Sequence, residues 1–153
     1  MILEPWMGWA ALLILLLLAL SAFFSGSETA LTATSRARML SLEKEKGRQS
    51  RKAKRVNALK ADGEHLIGAI LLGNNLVNIL ASSIAAAVFL TMFSEAGVPV
   101  ATIVMTLLVL IFAEVLPKTY ALSNPDSVAL RVSGPIKACV LSLPQLFQAF
   151  RRW

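Results

Sequence analysis

Three long apolar stretches dominate the chain. Trp9–Phe24 reads WAALLILLLLALSAFF, sixteen residues interrupted only by Ser21. With its helical continuation to Ala33 it exceeds the roughly 20 residues that cross a bilayer. Leu66–Met92 has no charged residue in 27 positions, and Val98–Leu116 has none before Glu114. This pattern predicts an all-α integral membrane protein with three transmembrane helices, at about 7–33, 66–92 and 98–121. Only Thr91–Pro99 can turn the chain between the second and third spans, so those two should be antiparallel neighbours. A cleaved signal peptide competes for the first run. Glu4 is the only charged side chain before that run, and the first basic residue, Arg36, lies beyond its far end, which favours a retained span.

Between the first two spans, residues 35–63 carry Met39, Leu42, Val56 and Leu59 at helical steps. Gly47-Arg48-Gln49-Ser50 interrupts them, which predicts two short amphipathic helices. Residues 126–152 mix apolar positions with Arg131, Lys137, Pro135 and Pro144, and read as a broken juxtamembrane helix in the interface plane rather than a fourth span. Ten Lys or Arg residues lie between Arg36 and Lys60, whereas Thr91–Pro99 has none. The positive-inside rule then puts the N-terminus outside and the C-terminus in the cytoplasm.

Composition supports this assignment. Of 153 residues, 56% are apolar and the mean hydropathy is +0.67. The net charge of +6 is concentrated beside the spans, where it faces anionic lipid head groups rather than nucleic acid. Cys139 is the single cysteine, which excludes an intrachain disulfide or a zinc cluster. His65, the single histidine, lies at the mouth of the second span.

Polar groups within spans are costly, about 2.5–3.5 kcal/mol for a central charge on insertion scales, and usually face a cavity, a partner or a transported solute. Asn74 and Asn78 are one turn apart on a single face, with Asn75 about 100° away. Alone, the pair could simply hydrogen-bond to neighbouring helices. Glu114 stands three residues before Pro117, whose missing N–H should open the helix and free the carbonyl of Ala113 beside the carboxylate. A Glu114–Lys118 pair is the structural alternative. Ser21, Ser25, Glu28, Thr29 and Thr32 form a polar stripe at the end of the first span. These groups are all oxygen donors, unaccompanied by Cys, His or Met, which suits a hard cation: Mg²⁺, Ca²⁺ or Na⁺. No nucleophile and base accompany them, so the chain does not read as an enzyme. Small residues along the second span and the many inward polar groups suggest self-association as a homodimer.

The segments FFSGSETALTA (23–33), LLGNNLVNILASS (71–83) and FAEVLPKTYA (112–121) resemble the transmembrane domain of the CorC/CNNM family of magnesium transporters, and the likeness covers essentially the whole chain. The resemblance implies three spans, a belt-like juxtamembrane helix and a homodimer in the inner (plasma) membrane that exports Mg²⁺ coupled to Na⁺ entry. It also implies an ion-binding serine at Ser27 or Ser25, ligation by Asn74 with Asn78 beside it and by Glu114, and a third helix broken by Pro117. Glu28 and Ser25 become candidates for the second ion. The cytosolic CBS domain pair of such proteins is not in this sequence, which suggests a truncated piece. A Mg²⁺-sensing or structural module that transports nothing, and a cation channel, are the alternatives.

Overall fold

The structure, a computed structural model, describes residues 3–151, with side chains up to Ser142. Among the described residues every regular element is helical and no strand occurs. The order is α1 (Pro5–Ala33), α2 (Arg36–Lys44), α3 (Arg48–Ala61), α4 (Gly63–Phe93), a 3₁₀ turn (Ser94–Ala96), α5 (Gly97–Leu108), a π-helical segment (Val109–Val115), α6 (Leu116–Ser123) and α7 (Pro125–Arg151). Two continuous helical runs, Pro5–Ala33 and Gly63–Ser123, are long and apolar enough to cross a membrane. Pro5, Pro99 and Pro125 each fall in the first turn of a helical element, where a missing N–H costs least.

The chain forms two compact bodies: Met1–Ser25 with Gly73–Pro117, and Gly26–Leu72 with Lys118–Trp153. In the first body, α1 buries Met7, Ala10, Leu17 and Ser21 while Leu12, Leu13, Leu15 and Leu16 stay exposed. Such an apolar outer face suits a lipid surround, not water. α4 buries Val77, Ala81 and Ala85, small residues that let helices approach closely. Gly73 shows how close: a Cβ there would stand 2.9 Å from Cζ of Phe24. The α4–α5 reversal is equally tight. Ser94 adopts φ 54°, and a Cβ on Gly97 would meet the Phe89 carbonyl oxygen at 2.2 Å. The turn signal at Gly97 is thus one of backbone contact rather than of unusual φ.

In the second body Leu31, Met39, Val56, Ile70 and Ile136 are fully buried. Ser35 caps α2, its Oγ accepting the Arg38 N–H. Gly47, at φ 124°, supplies the left-handed residue between α2 and α3. Glu43 then ties the pair together: its carboxylate accepts from Asn57 Nδ2 and its carbonyl from Ser50 Oγ, both at 2.7 Å. Asp126, in the first turn of α7, accepts from the Thr34 hydroxyl and from the Ser35 N–H at 3.2 Å, and pairs with Arg38 Nε at 3.4 Å. His65, just before the apolar run of α4, donates from Nδ1 to Asp62 at 2.8 Å. That bond, and then the carboxylate's charge, raises the imidazole pKa above 6.5.

The two helices expected between residues 35 and 63 are therefore present as α2 and α3. The break expected in 126–152 is not: α7 runs uninterrupted through Pro135 and Pro144 as far as Arg151, and Arg152 lies outside the described residues. Each proline removes one hydrogen bond, and a face carrying buried Ala129, Val132 and Ile136 holds the helix together across Pro135.

Candidate functional site

Two asparagines on one face of α4 differ in whether their amide oxygens are paired. Ser21, wholly buried on α1, donates to Asn74 Oδ1 at 2.7 Å. Asn74 thus already serves as a hydrogen-bond acceptor between helices. Asn78, one turn further along the same face of α4, differs: its Oδ1 is buried and has no hydrogen-bond partner. Leaving a buried acceptor unpaired costs about 1–3 kcal/mol, so it marks either a strained point or a waiting ligand.

Asn78 borders a cavity of 340 Å³ together with Ser82, Thr102, Met105, Thr106 and Glu114. Thr102 and Thr106 donate their hydroxyl protons to the carbonyls of Val98 and Thr102, at 2.9 and 2.6 Å. What their oxygens still offer to the cavity is lone pairs. Ser82, Thr102 and Thr106 are exposed in the single chain, so the cavity is open. Its chemistry is one carboxylate among neutral oxygens, bounded on one side by the buried thioether of Met105.

The π segment explains how Glu114 reaches this cavity. Thr102, Thr106, Leu110 and Glu114 recur every four residues and all line it. In an α-helix four residues turn about 400°, so each step would drift about 40° and three steps about 120°. The wider winding of Val109–Val115 takes up part of that drift and returns Glu114 toward the face of the two threonines. The sequence pointed to an opened helix at Pro117 with Ala113's carbonyl freed. Instead the helix stays wound: Leu116 donates five residues back, to Ile111, and Pro117 has no N–H. Phe112's carbonyl, two residues before the carboxylate, thus lacks both its i+4 and its i+5 donor, while Ala113's lacks its i+4 donor.

Of the residues singled out from the sequence, Asn78 and Glu114 come together on one cavity and Asn74 pairs with Ser21. Ser25 is buried in the same body and is engaged by neighbouring groups. Ser27, also buried and engaged, and Glu28 belong to the second body. Met105 also lines the cavity, beside the oxygen donors; it sits in an apolar run and carried no sign of sharing a cavity with Glu114. Ser82, Thr102 and Thr106 were also missed, although Ser82 stands four residues after Asn78 and the threonines stand at multiples of four before Glu114. Among the described residues, no three His, Cys, Asp or Glu side chains gather as a metal cluster.

An asparagine with an unpaired, buried amide oxygen and a carboxylate border one cavity in an apolar helical body, which narrows the kinds of protein to which this one compares. Residues 12–146 match the family described as CNNM, the Cyclin M transmembrane N-terminal domain. The chain belongs to this family. The CNNM domain is 43% identical over 136 residues to the UPF0053 inner membrane protein YfjD of Escherichia coli K12, covering 87% of this chain and 31% of that protein. It is 36% identical over 118 residues to a UPF0053 protein of Haemophilus influenzae, covering 77% of this chain and 27% of that one. A chloroplastic DUF21 domain-containing protein of Arabidopsis thaliana is 34% identical over 125 residues, covering 82% of this chain and 18% of its own length. The CNNM domain therefore spans less than a third of the length of each of these relatives. Family membership and the two long apolar helical runs are consistent with a membrane domain.

Proposed function

We propose that this CNNM domain carries Mg²⁺ across a membrane, exporting it by alternating access in exchange for Na⁺. The observation that carries the reading is the cavity that Asn78, whose buried Oδ1 has no hydrogen-bond partner, shares with Glu114. Mg²⁺ takes about six oxygens at 2.0–2.1 Å and dehydrates reluctantly, so a site offering one carboxylate and a few neutral oxygens holds it with part of its water shell. Glu114 supplies charge, and Asn78 with the threonine and serine oxygens supplies geometry. Met105 is a soft neighbour unsuited to a hard cation and acts as wall. Asn74 and Ser25 stand in the same body as further oxygens, while Ser27 and Glu28 remain ligand candidates on the sequence resemblance alone.

In this reading α1, α4 and the α5–α6 path are three spans, the outside turn is Ser94–Ala96, and α2, α3 and α7 lie on the cytoplasmic side, α7 along the interface. The ten basic residues from Arg36 to Lys60 support that orientation. Exposed Ser82, Thr102 and Thr106 would be expensive against lipid, which supports a homodimer that covers the open side of the cavity.

The test is Mg²⁺ flux in proteoliposomes with wild type and Glu114→Gln, with and without an imposed Na⁺ gradient, beside equilibrium Mg²⁺ binding. Sodium-dependent flux abolished in the variant, with folding retained, is the expected result. Binding without flux would make the domain a sensor, and conductance indifferent to the Na⁺ gradient would make it a channel.

A further inference from the structure

A second polar pocket lies in the other body, away from any group used above. It encloses 410 Å³ between α2 and α3 and is lined by Arg36, Leu40, Asn57, Lys60 and Ala61. Two cations and an amide face it, and none of the five lining residues is acidic. Lys60 is held in place by its hydrogen bond to the Thr34 carbonyl at 3.0 Å, which uses one of the ammonium's three donors. Asn57 is held by Glu43 through Nδ2 at 2.7 Å, which leaves the second amide N–H. Arg36 is exposed and has no ion-pair partner among the described residues, unlike Arg38, which is spent on Asp126. The pocket thus has donors already oriented and a guanidinium not yet committed.

Its position in the chain matters as much. Arg36 follows the end of α1 by three residues, and Lys60 stands three residues before the start of α4. Both long apolar helices emerge there, so on the membrane reading above the pocket sits at the depth of lipid phosphates. Leu40 and Ala61 add apolar surface beside the cations, where the start of a lipid's acyl chains would lie.

We infer that this pocket is a binding site for a phosphate group, gripped by Arg36 and Lys60 with Asn57 as a neutral donor. A phosphodiester head group of an anionic lipid and free inorganic phosphate share that chemistry. Guanidinium and phosphate form the strongest charge-assisted pairs available to side chains. The fixed Lys60 and Asn57 lower the ordering cost of capture, which a solvated basic surface does not do.

The experiment uses the chain purified in detergent and titrated with phosphatidylglycerol, with phosphatidylcholine and with inorganic phosphate, bound lipid being counted by native mass spectrometry and phosphate binding followed by ³¹P NMR. Arg36→Gln should weaken binding about tenfold, whereas Lys46→Gln, which removes an equal charge outside the pocket, should change it less than about twofold. Lys60→Arg, which keeps the charge and the donors, should retain binding. Retention of phosphatidylglycerol alone assigns the site to a lipid head group, and an inorganic phosphate response that is lost in Arg36→Gln assigns it to the free anion. Equal losses in Arg36→Gln and Lys46→Gln, or no saturable binding of either probe, would overturn the site in favour of diffuse surface charge. Lipid and phosphate binding are read without Mg²⁺, so failure here is distinct from failure of the transport reading.

Discussion

Asn74 and Asn78 are chemically identical, one turn apart on one helix, and should respond oppositely to the same substitution. Asn74→Leu removes the acceptor of a wholly buried Ser21 hydroxyl, leaving that donor unpaired. The loss should be about 1–3 kcal/mol. Asn78→Leu removes an oxygen that is buried without a partner, so the folded state sheds a desolvation cost of similar size instead of gaining one. At about 2–4 °C per kcal/mol for a chain of this size, Asn74→Leu should lower the melting temperature by several degrees while Asn78→Leu leaves it unchanged or raises it. The order reverses for ligand binding. If Asn78 Oδ1 awaits a cation, its loss should weaken Mg²⁺ binding about tenfold or more, and Mg²⁺ should stabilise the variant less than wild type. Thermal unfolding in detergent across a Mg²⁺ series, with calorimetric binding on the same samples, reads both effects. Equal destabilisation by the two substitutions, with Mg²⁺ affinity untouched in Asn78→Leu, would refute the reasoning and return both asparagines to ordinary helix packing.

Three other expectations can be checked separately. Gly97→Ala places a methyl group 2.2 Å from the Phe89 carbonyl oxygen, a backbone atom that cannot swing aside, and should cost at least about 1–3 kcal/mol, visible as lowered thermal stability or lost expression. Asp126→Asn should loosen the junction of α1, α2 and α7; because the carboxylate side chain is 23% exposed and Arg38 69%, the ion-pair share is small, and about 1 kcal/mol, mostly from the weakened charge-assisted bonds, is expected in unfolding and as faster proteolysis within α2. The His65 imidazole should titrate above 6.5 by NMR and move back toward that value in Asp62→Asn. Since its folded pKa is raised, the stabilisation is complete below 6.5 and disappears as pH rises through the folded value.

Much of the helical layout was legible because apolar run length and charge breaks are one-dimensional signals. The gap at Gly47 marked the α2–α3 junction, and the motif around Asn74 and Asn78 marked the polar face of α4. Proline was the poorer guide. Pro117 suggested an opened helix, but a local rewinding upstream of the ring keeps the helix wound, and nothing in the composition of Val109–Val115 announces a π segment. Pro135 failed as a break signal because packing of Val132 and Ile136 outweighs one lost hydrogen bond. Met105 was hidden for another reason: in an apolar run, phase relative to a distant carboxylate depends on the winding between them, which the sequence does not state. Likewise Ser21 was visible as polar, yet only its distance from Asn74 separates a structural pair from a free ligand.

The π segment also turns residue count into a functional quantity. Between Thr106 and Pro117 the chain spends more residues per turn than an α-helix does, so deleting one residue there would let the segment relax to ordinary winding without shortening it by more than about 1.5 Å. Depth in the membrane would scarcely change, and the carboxylate, then seven α-helical residues or about 700° beyond the threonine, would keep the threonine face; losing the wide winding without losing a residue would instead turn it about 80° away. Alignments of related chains should therefore be read for gaps in this stretch before they are read for identities, since a sequence that keeps every polar residue and loses one aliphatic spacer would aim the same acid at the same face without a π segment.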